Sequence, residues 1–268
     1  MFNLLNEVRE AKPLVHHITN YVTVNDCANI TLAIGASPVM ADAIGEAADI
    51  AAIAGAVVLN MGTLNEHTIL SMVAAGKSAN AKGTPVIFDP VGAGASALRN
   101  NTAAQILDEI KLSVLRGNIS EIRFLAGLSS ETKGVDASQN DTTEKHSAGQ
   151  IAKNLATKLG CVVVISGATD IVSDGNRIIF IENGHPMLSC LTGTGCMCSS
   201  LIGSFCGAVP NDLFSATVTG MLCMGIAGEL ACKQSGPGKN ASFRVALIDA
   251  ISQLDPPTLE RMAKYHEA

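Results

Sequence analysis

Along the first two thirds of the chain, short apolar runs alternate with longer segments of helical period. The runs at residues 14–18, 38–41, 56–60, 85–89, 113–117 and 161–166 are rich in apolar, often β-branched residues and are of strand length. Segments near 25–34, 46–54, 66–82, 102–110 and 144–159 lie between them and read as helices. This rhythm predicts a mostly parallel sheet with helices packed on it. Two further runs, 170–173 and 177–182, flank Asp174-Gly175-Asn176, a turn sequence that predicts an antiparallel hairpin after the parallel core. The remainder reads as helical at 196–206, 212–234, 241–254 and 257–265, with Pro and Gly at the joints. Residues 1–13 carry a short amphipathic pattern around Glu7, Arg9, Glu10 and Lys12. The expected architecture is therefore one α/β domain over residues 1–268, a three-layer α/β/α sandwich. Its ligands should sit at the carboxyl ends of the strands.

Composition changes that picture in two ways. Only 16% of the 268 residues are charged, against about 25% in a typical soluble domain. Extra surface must then be covered, and a homo-oligomeric interface would cover it. The net charge of −6 also excludes a nucleic-acid partner, which needs clustered Lys and Arg. Residues 183–211 contain no Asp, Glu, Lys or Arg, long enough to raise a membrane span. Pro186, Gly193, Gly195, Gly203, Gly207 and Pro210 interrupt it, so a buried core helix is expected and no membrane partner. Residues 1–13 do not have the pattern of a signal peptide, and the expected location is the cytoplasm. The eight cysteines fall mostly in apolar segments and read as small buried hydrophobes. Cys196 and Cys198 lack a second ligand pair, and His16-His17 lack metal-ligand spacing and read as a strand end, so zinc is not expected.

The chemistry-bearing residues cluster at predicted strand ends. Thr192-Gly193-Thr194-Gly195-Cys196 is a glycine turn running into an apolar helix, a form whose first amide N–H groups point free and attract anions, phosphates above all. The strand 85–89 delivers Asp89 into Pro90-Val91-Gly92-Ala93-Gly94-Ala95-Ser96, where a hard carboxylate suits Mg²⁺ carried by a nucleotide. Gly92, Gly94 and Ala97 also fit a dinucleotide fingerprint, but Asp108 and Glu109 then fall inside a helix rather than at the next strand end. A plain capped turn is a third reading. The strand 113–117 ends in Arg116-Gly117-Asn118-Ile119-Ser120-Glu121: Asn118 and Glu121 have capping-box spacing, while Arg116 offers a phosphate fork and Glu121 a metal carboxylate. Ser166 ends the strand 161–166 and either meets a nucleotide phosphate or caps a turn.

Together, Val15-His16-His17-Ile18-Thr19-Asn20, Asp89-Pro90-Val91-Gly92-Ala93-Gly94, Arg116 to Glu121 and Thr192 to Cys196 resemble the hydroxyethylthiazole kinases of the ribokinase-like fold, over essentially the whole chain. The resemblance implies an ATP- and Mg²⁺-dependent kinase acting on the hydroxyl of 4-methyl-5-(2-hydroxyethyl)thiazole in thiamine salvage, and a homotrimer with active sites between subunits. By motif, Met40, Asn25 and Gly193 would meet the thiazole; Arg116, Ser166 and Asn118 the ATP; Asp89 and Glu121 the Mg²⁺. Gly193, Thr194, Gly195 and Cys196 would form the catalytic anion hole. Cys196 stands where sugar kinases of this fold carry Asp as base, and a cysteine is expected in the thiazole branch. A thiol at a helix N-terminus is acidified and so able to accept a proton. The loop 235–243 resembles a late glycine loop of the family, with Lys239-Asn240-Ala241 as an insertion. Alternatives are a ribokinase-like kinase of another small alcohol and a non-catalytic thiazole or nucleotide sensor.

Overall fold

Six parallel strands come first in the chain: β1 (Leu14–Ile18), β2 (Ser37–Val39), β3 (Ala56–Asn60), β4 (Val86–Asp89), β5 (Val114–Asn118) and β6 (Val162–Ser166). Three antiparallel strands, β7 (Asp170–Ser173), β8 (Ile178–Ile181) and β9 (Tyr265–Glu267), extend one edge to give the order β2-β1-β3-β4-β5-β6-β7-β8-β9. The structure, a computed structural model, describes residues 1–128 and 141–268. The helices are α1 (Leu4–Ala11), α2 (Val24–Ile34), α3 (Ala47–Ile53), α4 (Glu66–Lys82), α5 (Ala97–Glu109), α6 (Ile119–Leu125), α7 (Asp141–Leu159), α8 (Thr194–Ala208), α9 (Leu213–Ser235), α10 (Asn240–Gln253) and α11 (Pro256–Met262). A 3₁₀ turn spans Pro186–Cys190.

Consecutive strand residues face opposite ways, and the central strands are apolar on both faces, which is why they read as unbroken runs. In β3, Val58 points into a core built with α1, α2, α8, α9 and α10, while Val57 and Leu59 point into another built with α3, α4, α5 and α7. These two cores on one sheet make the expected three layers. Helix α8 supplies Leu201, Ile202 and Phe205, all fully buried, and each contributes about 1.5–3 kcal/mol of burial. It lies close on the sheet because residue 203 is Gly: a Cβ there would stand 2.7 Å from Val58 Cγ2 and 3.3 Å from Val15 Cγ1. This contact carries the N-terminus of α8 to the carboxyl ends of the strands.

Helix α9 is long and apolar enough to cross a membrane, yet 78% of that apolar window is buried inside the fold, as in a core helix. The expected hairpin is present, with Val172 opposite Ile179. Other expectations shift. The helix expected at 102–110 begins at Ala97, because Ser96 Oγ accepts the Arg99 N–H and caps it earlier. The strand expected at 38–41 is Ser37–Val39, fixed by pairing with Leu14 to His16. The C-terminal helix expected to run to 265 stops at Met262, where Asn183 Nδ2 donates to the Met262 carbonyl and Asn183 Oδ1 accepts the Lys264 N–H. The chain beyond is thereby turned onto β8 as β9, a strand not foreseen in the sequence.

Candidate active site

Register places the ends of the parallel strands side by side. Asn60 is opposite Asp89, and Asn118 is opposite Ser166. The N-terminus of α8 faces these ends. Gly193 caps it at φ 86° with no side-chain hydrogen bond, and the first in-helix donor is Met197 N–H, to the Gly193 carbonyl at 2.8 Å. The amides of Thr194, Gly195 and Cys196 therefore open the helix, with its dipole behind them. Thr194 Oγ1 donates to the Leu188 carbonyl at 2.9 Å, tying this start to the 3₁₀ turn.

Arg116 extends from β5 to the same place. Its Nη2 donates to Ser166 Oγ at 2.7 Å, and its Nη1 lies 3.6 Å from Asp89 Oδ2. Its Nη1 is so near the helix that a Cβ on Gly195 would be only 2.5 Å away. Asp89 Oδ2 also accepts from Asn60 Nδ2 at 2.9 Å and Ser199 Oγ at 2.8 Å. Asp89 Oδ1 and Arg116 Nε are buried and have no hydrogen-bond partner among the described residues. Burial lifts the Asp89 carboxyl above the usual carboxylate range, against the pull of Arg116, Ser199 and Asn60. Glu121 is lifted by burial too, although its two oxygens accept the N–H groups of Gly92 and Asn118 at 2.8 Å each.

A cavity of about 650 Å³ opens from this cluster, and Arg116, Ser166, Asp170, Thr194, Gly195, Met221 and Met224 are among its lining residues. Its size and its mixture of polar and apolar lining residues suit a nucleotide-sized ligand. Asp170 was not singled out in the sequence. Its Oδ1 accepts from Gly167 N–H at 2.9 Å, and burial pushes its carboxyl up to about 6.

On the opposite side of the α8 start, Cys196 Sγ accepts from Asn20 Nδ2 and Asn60 Nδ2, both at 3.3 Å. Burial, and next the negative charge of Asp89, raise the thiol above its ordinary range. The acidified thiol expected from the helix N-terminus is opposed here by burial and by the charge of Asp89.

The structure gathers Cys196, Gly195, Thr194, Arg116, Ser166 and Asp89, with Glu121 one strand end away. Gly193 packs on Thr23, whose Cγ2 would be 2.5 Å from a Cβ there. Asn25 is exposed in the first turn of α2 with its Oδ1 accepting from Asn29, and Met40 is half-buried just past β2. Neither lines the cavity. Asn118 completes the capping box, its Oδ1 taken by Glu121 N–H. The glycine loop after Asp89 spends its amides internally, Gly92 on Glu121 and Gly94 on Asn100, so it does not offer a pyrophosphate cradle and the dinucleotide reading falls. Missed in the sequence were Asn60, Ser199 and Asp170. Asn60 had a signal, being a polar residue ending an apolar strand beside Asp89; Ser199 lies four residues after Gly195, one helical turn on.

The hydroxyethylthiazole kinase family model matches residues 5–257. A relative from Clostridium beijerinckii, a hydroxyethylthiazole kinase, is 60% identical over 266 residues, covering 99% of this chain and 96% of its own. The solved hydroxyethylthiazole kinase structure from Pyrococcus horikoshii superposes with a TM-score of 0.89 at 38% identity, covering 100% of this chain and 98% of that one. A ribokinase-like superfamily protein from Enterococcus faecalis shares the fold, with a TM-score of 0.66 at 12% identity over 96% of each chain. With two carboxylates, a half-buried arginine and an open helix N-terminus at the carboxyl ends of the strands, and with likeness along its full length, the chain belongs to the hydroxyethylthiazole kinase family.

Proposed function

We propose that the cluster around α8 transfers the γ-phosphoryl group of ATP to the hydroxyl of 4-methyl-5-(2-hydroxyethyl)thiazole, as in thiamine salvage. One observation carries the reading: the uncapped amides of α8 and the Arg116 guanidinium converge at Gly195, between the cavity and Cys196. The nucleotide occupies the cavity, its phosphates against Arg116, Ser166 and the α8 amides. The thiazole alcohol sits on the Cys196 side, with Gly193, Asn25 and Met40 around it; Asn118 stands beside the phosphates. The hydroxyl oxygen attacks the γ-phosphorus, the bond to the bridging oxygen of ADP breaks, and the hydroxyl proton leaves on the phosphoryl oxygens. Phosphoryl transfer of this kind depends mainly on positioning and charge neutralisation. Cys196, whose thiol is held neutral by burial and Asp89, contacts the acceptor without serving as a preformed base.

The donor set fits Mg²⁺, which takes one or two carboxylates along with substrate phosphates. Asp89 Oδ1, buried and unpartnered, and the Glu121 carboxylate would hold it. When bound, the ion neutralises phosphate charge. The apolar residues exposed on α2, on α10 and before α2, namely Leu32, Val245, Tyr21 and Val22, support burial against further copies of the chain in a homotrimer. All eight cysteines are free, which supports a reducing, cytoplasmic setting.

The test is ADP release, coupled to a visible reaction, with the thiazole alcohol as acceptor. Turnover with it supports the reading. Turnover only with other alcohols, or binding without turnover, overturns it. Native mass measurement at three chain masses would support the trimer.

A further inference from the structure

Asn60 has no role in the phosphoryl transfer described above, yet it is 2% exposed and every hydrogen-bonding position of its amide is used. Its orientation follows from the Gly62 N–H, a group with only one possible role, and agrees with the contact to Asp89. Gly62 N–H is a backbone donor and sits 2.9 Å from Asn60 Oδ1, while Asp89 Oδ2 is an acceptor 2.9 Å from Nδ2. A flipped amide would lose both contacts, so Nδ2 faces Asp89 and turns its second hydrogen to Cys196 Sγ. Asn20 is fixed in the same manner. Thr23 N–H donates to its Oδ1 at 3.1 Å, which leaves its Nδ2 to donate to Asn60 Oδ1 at 2.9 Å and to Cys196 Sγ.

Two amides with obligatory orientations thus deliver two N–H donors to one sulfur. We propose that Asn60, seconded by Asn20, is a positioning residue that sets where the Cys196 side chain stands relative to the transferring phosphoryl group. Asp89 and Gly62 are the fixed ends of this linkage and Cys196 is the group it aims. The assignment rests on the proposed role of Cys196 against the acceptor. Removing the linkage frees the thiol to leave its rotamer, and a displaced thiol forfeits what Cys196 contributes to the rate, about tenfold.

The loop itself offers a way to disturb this linkage without touching Asn60. A Cβ on Gly62 would stand 2.6 Å from Asn20 Nδ2 and 2.6 Å from Asn20 Cβ, and the φ of Gly62 is not in the left-handed region. Gly62→Ala therefore pushes the Asn20 amide off the sulfur. It serves as the second variant if Asn60→Ala does not fold.

The experiment is a double-mutant cycle with a second, activity-independent readout. Asn60→Ala is expected to lower kcat by about 5–10-fold, close to the loss of the Cys196 thiol itself, with KM for ATP changed less than about threefold. In a Cys196→Ala background the same change is expected to cost less than about threefold, since the group it aims is gone and Ser199 Oγ still holds Asp89 Oδ2 at 2.8 Å. A purely structural role would lower both backgrounds alike. In the free protein, the rate of iodoacetamide alkylation at Cys196, resolved by peptide mass and referred to the exposed Cys190, should change by about fivefold or more. An undiminished kcat cost in the Cys196→Ala background, or an unchanged Cys196 alkylation rate in both Asn60→Ala and Gly62→Ala, overturns the proposal. Because alkylation needs no turnover, it separates failure of the positioning role from failure of the kinase reading.

Discussion

Gly195→Ala tests the close contact between α8 and Arg116 and its proposed role in phosphate binding. The φ of Gly195 lies outside the left-handed region and the residue is helical, so alanine suits the backbone, and mid-helix it would be favoured by about 1 kcal/mol. The added methyl, however, would stand 2.5 Å from Arg116 Nη1, 3.1 Å from Nη2 and 3.2 Å from Cζ. Ordinary carbon contacts begin near 3.5 Å, so the guanidinium must retreat by about 1 Å. That retreat stretches its 2.7 Å bond to Ser166 and its 3.6 Å approach to Asp89. Loss of one well-aimed donor to a developing charge costs about 3 kcal/mol of barrier, or 10²–10³ in kcat. The expected result is a folded protein with an unchanged melting temperature and a kcat, followed by ADP release, down by about two to three orders of magnitude. Gly193→Ala provides the contrast: at φ 86° and 2.5 Å from Thr23 Cγ2 it should lower stability, by about 1–2 kcal/mol, as well as activity. If Gly195→Ala keeps kcat/KM for ATP within about threefold of the parent while folded, Arg116 is not a phosphate donor here and the reasoning is refuted.

Cys196→Ala should lower kcat only in part, by about tenfold, and Cys196→Asp should keep or raise it, because a loose transition state needs little base; complete loss in folded Cys196→Asp would contradict this. His17 is buried and neutral, its imidazole pushed down to about 4 by burial, against an unfolded value of 6.5. The unfolded chain then takes up a proton that the folded one refuses, so stability present above pH 6.5 is lost as pH falls toward 4, by about 3 kcal/mol in all. Urea midpoints at pH 7.5 and 4.5 in the parent and His17→Gln would check it: the variant should lose less. Gly203→Ala should cost about 1–3 kcal/mol by lifting α8 off Val58, read as a fall in melting temperature of roughly 2–4 °C per kcal/mol.

The fold was legible wherever a strand is buried on both faces. Val57, Val58 and Leu59 are apolar in succession because β3 feeds two cores, and such runs announce a covered parallel sheet. The exposed edge was not legible. Tyr265, His266 and Glu267 carry no apolar alternation, and β9 exists because Asn183, far back in the chain, ends α11 and turns the backbone onto β8. The site divides in the same way. Asp89, Arg116 and Ser166 stand at strand ends and Gly193 at a helix start, positions that local patterns mark. Asn60 and Ser199 meet Asp89 only after strands 29 residues apart and a helix 110 residues away have packed.

The electrostatics of the cluster explain why so many neutral donors surround so few charges. Asp89, Glu121 and Asp170 stand near one buried guanidinium, and burial lifts all three carboxyls above their ordinary range. Two further buried lysines or arginines would balance them, but each further buried ion adds a desolvation cost of several kcal/mol. Amide and hydroxyl groups carry no net charge and meet no such cost. Asn60 and Ser199 hold Asp89 through Oδ2 alone, Gly92 and Asn118 hold Glu121, and Gly167 holds Asp170, so each carboxylate is oriented without being neutralised. On the proposed reading, the cluster therefore keeps carboxylates on one side for a cation and, at the α8 amides and Arg116, donors on the other for an anion. A bare polyanion meets repulsion on one side of it. A phosphate that arrives with its counter-ion satisfies both.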